Sequence, residues 1–296
     1  MATAGRAVDE SPLRAEASAK PLPLLHAIVL GVVQGLSEFL PISSSGHLVV
    51  VPWLFGWDEL ANNPDLKRTF DVALHVGTFV GAFVYFRTDV ARYAASAVRS
   101  LRRRRIETGD ERMAWLLVLA SLPAAVIGAV VDSAVDEYPG GVGMVGLMLV
   151  VFGVVLFAAD RAVARRPTDA FSARDAVLVG MAQALALQPG VSRSGATISM
   201  ARWLGFDRYA ATRISFLMSL PIIAGAGFYK GAQLVADGGL PAGVAGAFTA
   251  GTIAAAVTGF AAVWGLLRLV RTRTFAWFVA YRVVAGLVVL AITAAT

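Results

Sequence analysis

The sequence predicts an all-α integral membrane protein with six transmembrane helices and two re-entrant helix hairpins in an inverted-topology repeat. Three observations lead to this prediction. Of the 296 residues, 57% are hydrophobic and only 16% are charged, whereas soluble domains carry about 25% charged residues. Six apolar stretches are long enough to cross a bilayer. Two further apolar segments are interrupted at the same repeated motif.

The six long apolar stretches are the predicted transmembrane helices. Each is close to the roughly 17–25 residues that a helix needs to cross the hydrocarbon core. They lie at residues 69–87, 113–131, 141–160, 211–230, 243–267 and 275–295.

The two remaining apolar segments, 24–57 and 175–205, contain copies of one motif. Each copy begins as an apolar helix, breaks at proline or glycine, and then reads Ser-x-Ser-Gly. Without a gap, the matched identities are Gly31/Gly180, Gln34/Gln183, Leu36/Leu185, Ser43/Ser192, Ser45/Ser194 and Gly46/Gly195. A broken helix inside a membrane is tolerated only where its backbone is buried in protein or lines a cavity. We therefore predict two hairpins. Their tips, the breaks that contain Ser43–Gly46 and Ser192–Gly195, are expected to meet at a midplane site.

Charge predicts the orientation of the chain. Most of the 26 Lys and Arg residues lie in the segments 87–112, 161–174, 202–213 and 268–273. Placing all four in the cytoplasm requires six crossings and two hairpins, and leaves both termini and the acidic loop 132–140 outside.

This orientation also predicts how the chain is organised. The two hairpins enter from opposite sides, so the halves, approximately 23–160 and 161–296, form an inverted repeat within one membrane domain, 23–296. Residues 1–22 are polar and mixed in charge, which predicts a disordered tail and not a signal peptide.

Composition excludes several classes of function. The chain has no cysteine, which excludes disulfides and thiolate metal sites. Its three histidines, His26, His47 and His75, are too scattered for a histidine metal cluster. The net charge of +6 comes from loops that border an anionic leaflet, so nucleic acid is not an expected partner.

Polar side chains concentrate at the two predicted tips. Gln34 and Glu38 are spaced i, i+4 and share a helix face. Serine and glycine before a new helix favour anion binding, and an arginine fork suits a phosphate. We predict phosphoryl transfer, with Glu38, Ser44, His47 and Arg193 as candidate catalytic residues. The candidate substrate-binding residues are Ser43, Ser45, Gly46, Ser192, Ser194, Gly195 and Thr197. Asp71 and His75, also spaced i, i+4, are expected to flank this site or to hold the hairpin.

These motifs resemble those of the undecaprenyl-diphosphate phosphatases of the bacitracin-resistance type. The first family motif matches Gln34 through His47, and the second, Pro-Gly-x-Ser-Arg-Ser-Gly-x-Thr, matches Pro189 through Thr197. The resemblance implies a bacterial plasma-membrane enzyme with its site facing outside, which converts undecaprenyl diphosphate to the monophosphate carrier used in cell-wall synthesis. It also implies that Glu38, Ser44, His47 and Arg193 are catalytic, and that Mg²⁺ or Ca²⁺ assists near Glu38 and Gln34. Gln34 stands where the family also allows an acid, so this site carries one fewer negative charge.

The sequence leaves several alternatives open. Ser44 is the expected nucleophile, with His47 or Glu38 as its base, but Glu38 and His47 could instead activate a water molecule. A flippase or transporter for a polyprenyl phosphate lipid is the second function, because inverted repeats with broken helices also build transporters. A structural scaffold has no use for Glu38 and Arg193. The sequence does not decide between a monomer and a homodimer.

Overall fold

A computed structural model describes residues 22–132, 141–236, 239–240 and 243–295. Every regular element of these residues is helical. The helices are α1 Leu24–Phe39, α2 Ser44–Phe55, α3 Pro64–Arg103, α4 Gly109–Asp132, α5 Gly141–Asp160, a 3-10 helix Thr168–Ala170, α6 Ala173–Leu185, α7 Arg193–Trp203, α8 Arg208–Ala236, α9 Ala245–Leu269 and α10 Ala276–Ala295.

Six of these helices, α3, α4, α5, α8, α9 and α10, are long and apolar enough to cross a membrane. They coincide with the six predicted stretches, so the chain is a multi-pass membrane protein. The segments predicted as hairpins each contain two short helices, α1 and α2 or α6 and α7. None of these four exceeds 16 residues, fewer than the roughly 20 that a spanning helix needs.

Helix α3 is much longer than its predicted span of 69–87. It has 40 residues, or about 60 Å at 1.5 Å per residue, twice the ~30 Å hydrocarbon core. Asn63 caps its first turn by accepting from Leu66 N at 3.0 Å, and Arg104 ends it in a left-handed conformation. Most of the predicted loop 87–112 is therefore helix, because hydropathy reports where lipid covers a helix and not where the helix ends.

Two parts of the sequence prediction fall largely outside the described residues. These are the tail, of which residues 1–21 are not described, and the acidic loop, of which 133–140 are not described. Leu22, placed in the tail by the prediction, is instead buried in an apolar cluster with Leu30 and Leu66.

Glycines let the short helices pack closely on the long ones. A Cβ at Gly35 of α1 would lie 2.6 Å from the carbonyl oxygen of Ala255 and 2.8 Å from the amide nitrogen of Gly259, both on α9. A Cβ at Gly180 of α6 would lie 2.5 Å from the carbonyl oxygen of Ala120 on α4. These neighbours are backbone atoms and cannot move aside, so small residues fix how each broken helix sits against its partner.

Gly35→Ala is expected to destabilise the protein. Alanine normally stabilises a helix by about 1 kcal/mol relative to glycine, but here the methyl group clashes with the backbone of α9, and overpacking costs about 1–3 kcal/mol. Thermal unfolding in detergent should show a lower Tm. The control is Gly265→Ala on α9, where a Cβ meets nothing within 4 Å and the Tm should hold or rise. Equal Tm values for the two variants would contradict this packing.

Candidate active site

The two motifs have the same unusual backbone at the start of α2 and of α7. Ser43 has φ 81° and ψ 98°, and Ser192 has φ 73° and ψ 113°. Positive φ is uncommon outside glycine. The Ser43 hydroxyl accepts from Gly46 N at 3.3 Å, and the Ser192 hydroxyl accepts from Gly195 N at 3.1 Å. Strain of this kind persists only where the surroundings enforce it, often at functional sites.

The two tips meet, as the sequence predicts. Arg193 Nη2 donates to Glu38 Oε1 at 2.7 Å, and Ser194 Oγ donates to the carbonyl oxygen of Leu40 at 3.0 Å. The ion pair is largely shielded from water, since the Glu38 side chain is 5% exposed and that of Arg193 is 19% exposed. Residues 155 positions apart in the sequence thus form one charged site.

Glu38 is the centre of this site. Its second oxygen, Oε2, accepts from Gln34 Nε2 at 3.0 Å and from Ser44 Oγ at 2.5 Å. His75 Nε2 lies 3.6 Å from the same oxygen, which fits the prediction that His75 flanks the site. His75 Nδ1 is 2.7 Å from the carbonyl oxygen of Asp71. That carbonyl can only accept, so Nδ1 carries a proton.

Among the described residues, His47 makes no hydrogen bond to Glu38 or Ser44. Its Nδ1 is 2.6 Å from the carbonyl oxygen of Ser43, and its Nε2 is 2.6 Å from the hydroxyl of Tyr281, whose ring stacks on the imidazole. The carbonyl oxygen of Ser43 requires a proton on Nδ1, so in the neutral ring Nε2 accepts from Tyr281. The structure therefore joins Ser44 and Arg193 separately to Glu38, whereas the His47 imidazole bonds to Ser43 and Tyr281.

The predicted substrate-binding residues surround this centre in two different ways. Ser43 and Ser192 cap helices, and their hydroxyls are near those of Ser45 and Ser194, at 3.5 and 3.2 Å. The hydrogen bonds of the Thr197 side chain go to residues other than Glu38. Its hydroxyl bonds to Ser215 on α8 at 2.6 Å.

Arg282 on α10 holds both tips and was not predicted from the sequence. It is fully buried, and its guanidinium donates to the carbonyl oxygens of Pro41 in the first tip at 3.1 Å and of Gly190 and Val191 in the second at 2.9 and 3.0 Å. These carbonyls lie in the breaks between helices, so Arg282 supplies donors that a continuous helix would provide. The sequence did indicate that Arg282 is special, because a single arginine inside an apolar span is energetically unfavourable and usually marks a functional position.

The site fits a divalent cation only if the substrate shares it. Among the described residues, no three or more His, Asp and Glu side chains come together to hold a metal. Gln34 Oε1 is buried and has no hydrogen-bond partner, which leaves one oxygen ligand free beside the Glu38 carboxylate. Mg²⁺ commonly binds one or two carboxylates plus the phosphates of a substrate. Gln34 and Glu38 match that pattern.

Together, the fold and the site define a multi-pass membrane protein in which two pairs of short helices meet at a buried ion pair, Glu38–Arg193. The family model described as bacitracin resistance protein BacA matches residues 27–288, and the chain belongs to this family.

Named relatives cover nearly the whole chain. The undecaprenyl-diphosphatase of Pelobacter propionicus is 45% identical over 89% of this chain and 94% of its own length. The enzyme of the same name from Geobacter sulfurreducens is 44% identical over 91% of this chain and 98% of its own. The enzyme of the same name from Nocardioides sp. is 42% identical over 91% of this chain and 96% of its own length.

Proposed function

We propose that this protein is an undecaprenyl-diphosphatase, which hydrolyses undecaprenyl diphosphate to undecaprenyl phosphate and inorganic phosphate. This activity recycles the lipid carrier of cell-wall synthesis. One observation carries the proposal: the acid of one motif and the guanidinium of the other form a single buried pair, 2.7 Å apart, with a serine hydroxyl on the acid. The names of the relatives agree with it.

Arg193 is the group that recognises the diphosphate. A guanidinium presents a planar fork of donors that matches phosphate oxygens, and in phosphoryl transfer most of the catalysis comes from positioning and charge stabilisation. When the substrate binds, its negative charge competes with Glu38 for Arg193. The carboxylate released from that pair accepts a proton more readily.

Ser44 is the nucleophile that the geometry supports, with Glu38 as its base. Its hydroxyl already donates to Glu38 Oε2. The oxygen of Ser44 would form a bond to the terminal phosphorus while its proton passes to Glu38. The bond from that phosphorus to the bridging oxygen breaks, and undecaprenyl phosphate leaves. Water then hydrolyses the phosphoserine and releases phosphate. His47, whose nitrogens bond to Ser43 and Tyr281, would orient the tip.

Ser44→Ala distinguishes this route from attack by water. If Ser44 is the nucleophile, kcat should fall by at least two to three orders of magnitude, because no phosphoserine can form. Rapid quenching with a labelled terminal phosphate should trap phosphoserine in the unmodified protein and none in the variant. The comparison variant is Ser45→Ala at the neighbouring, candidate substrate-binding position, which should still form phosphoserine. Substantial turnover by Ser44→Ala would instead support direct attack by water.

A divalent cation, Mg²⁺ or Ca²⁺, would be held by Glu38, by the free oxygen of Gln34 and by the diphosphate itself. When bound, such a cation neutralises charge on the phosphate oxygens. This part of the proposal rests on the unpartnered Gln34 oxygen. The protein's own groups still position the reacting atoms.

The proposed arrangement in the membrane is argued from the helix lengths and the charges. We propose that the pairs α1–α2 and α6–α7 are re-entrant hairpins that enter from opposite sides, with residues approximately 23–160 and 161–296 as the halves of an inverted repeat. Their matched caps, with positive φ at Ser43 and Ser192, support this proposal. The basic segments would face the bacterial cytoplasm and the site would open outward, where the isoprenoid chain lies among the helices.

One assay tests hydrolysis against transport. Purified protein in detergent is given undecaprenyl diphosphate, with and without a chelator, and inorganic phosphate is measured. A detergent micelle has no second compartment into which lipid could be moved, and a flippase would release no inorganic phosphate there. Hydrolysis predicts phosphate release that the chelator suppresses and that Mg²⁺ or Ca²⁺ restores. Absence of phosphate release under all conditions would leave transport as the function.

A further inference from the structure

A polar cavity lies at the far end of α7 from the candidate active site. It measures about 730 Å³, and it is bounded by the ends of α5 and α9, the C-terminal end of α7 and the starts of α8 and α10. This volume is within the roughly 300–1,000 Å³ usual for small-molecule sites. Its charged lining residues are Asp160, Arg161, Arg202, Asp207, Arg208 and Arg271.

The two carboxylates of this cavity are already engaged. Asp160 accepts from Arg208 Nε at 2.5 Å and from the backbone N–H of Phe275 at 3.0 Å. Asp207 accepts from the backbone N–H of Ala210 at 2.7 Å and so caps α8. The cavity is therefore lined by four guanidinium groups and by two carboxylates that already accept hydrogen bonds. Its lining carries an excess of two positive charges.

Arg202 is the buried cation of this cavity. It is 3% exposed, and its Nη atoms donate to the backbone carbonyls of Asp160, Ala162 and Phe206. Its Nε has no hydrogen-bond partner, and the nearest carboxylate oxygen, on Asp160, is 4.0 Å away. A buried donor without an acceptor is unfavourable, and Arg202 thus adds to this wall a positive charge that no hydrogen bond to a carboxylate offsets.

Arg161 and Arg271 stand at the mouth of the cavity. The guanidinium carbon of Arg161 lies 4.2 Å from the ring centre of Phe157, and that of Arg271 lies 4.6 Å from the ring centre of Tyr209. Within the described part of the chain, neither arginine has an acidic partner. Stacking on a ring orients a guanidinium and leaves its N–H donors free for a phosphate.

The depth of this cavity suits a lipid headgroup. Arg193 at the tip and Arg202 at the cavity are nine residues apart on α7, about 14 Å along the helix axis. If the tips lie at the midplane, this distance is close to half of the ~30 Å hydrocarbon core. Basic pockets between transmembrane helices at that boundary bind anionic headgroups.

We propose that this cavity is a second binding site, distinct from the candidate active site, for a phosphate-bearing anion. Arg161 and Arg271 bind the phosphate oxygens, and Arg202 and Arg208 form the positively charged lining behind them. The proposal does not depend on the reaction at Glu38, since no side chain of that centre contributes to the cavity.

The test compares two charge-matched double variants in detergent. Arg161→Gln/Arg271→Gln removes the two cations at the mouth of the cavity, and Arg102→Gln/Arg105→Gln removes two exposed cations elsewhere. Each protein is titrated with phosphatidylglycerol, with phosphatidylcholine and with inorganic phosphate, and binding is followed by thermal unfolding and by native mass spectrometry. Phosphate release from undecaprenyl diphosphate should be unchanged in both variants and reports that they fold.

We expect phosphatidylglycerol to bind the unmodified protein more tightly than phosphatidylcholine does. Binding should weaken by about 25-fold in the cavity variant, since each arginine that contacts the headgroup contributes about 1 kcal/mol, and by far less in the control variant, whose arginines lie outside the cavity. The same pattern with inorganic phosphate and not with the lipid would identify the free anion as the occupant. Equal weakening in both variants, or no weakening in either, would overturn the proposal.

Discussion

Arg193→Ala is expected to lower kcat/KM for phosphate release from undecaprenyl diphosphate by about three orders of magnitude or more. Cations that stabilise the charge of a transferring phosphoryl group contribute on the order of 10³–10⁵ in rate. Arg193 is the one guanidinium in contact with Glu38 among the described residues. Its loss removes the phosphate ligand and also leaves the buried carboxylate without its partner.

Two companion variants separate these effects. Arg193→Lys keeps the charge but loses the planar fork, so it should retain more activity than alanine does. In Glu38→Gln/Arg193→Ala neither charge of the pair remains, and its loss should be far smaller than the product of the two single losses, because the residues act as a unit. Normal phosphate release by Arg193→Ala, or fully multiplicative losses, would rule out a shared site.

Arg282→Met should produce the largest loss of stability. Methionine fills part of the same volume but leaves the carbonyls of Pro41, Gly190 and Val191 without donors. Each unsatisfied buried group costs about 1–3 kcal/mol, and a protein of this size loses about 2–4 °C in Tm for each kcal/mol. We expect the Tm in detergent to fall by about 10 °C or more.

Arg282 is a positioning residue, so replacing it should change activity only by altering the positions of the two tips. At a temperature where the variant is still folded, kcat should fall because Glu38 and Arg193 are no longer held together. Arg282→Lys can satisfy at most three acceptors from one point and should recover only part of both losses. A variant that melts early but turns over normally when folded would show that Arg282 stabilises α10 without aligning the tips.

Much of the fold follows from local sequence. Hydropathy located all six long helices, and the repeated Ser-x-Ser-Gly motif located both breaks. Proline alone would not have located them, because Pro123 and Pro221 lie inside α4 and α8. The length of α3 was missed, since beyond Arg87 that helix is polar and hydropathy carries no information about it.

The site was predictable only in part. Glu38 and Arg193 could be paired from the repeat alone, since symmetry relates their two motifs. The contacts of His47 with Tyr281 and of Arg282 with both tips join positions more than 90 residues apart, and no repeat or spacing links them. Arg282 could have been suspected as a single charge within an apolar span, but its partners are backbone atoms and leave no trace in the sequence.

The resting contact between Glu38 and Arg193 has a consequence for selectivity. A ligand that binds the Arg193 nitrogen now bonded to Glu38 must displace a carboxylate that lies 2.7 Å away and is fixed by Gln34 and Ser44. A weakly charged anion gains little by that exchange, whereas a diphosphate brings more charge than the group it displaces. After cleavage the charge is divided between two products, each less charged than the diphosphate, so Glu38 competes better for Arg193 and the same internal contact weakens product inhibition.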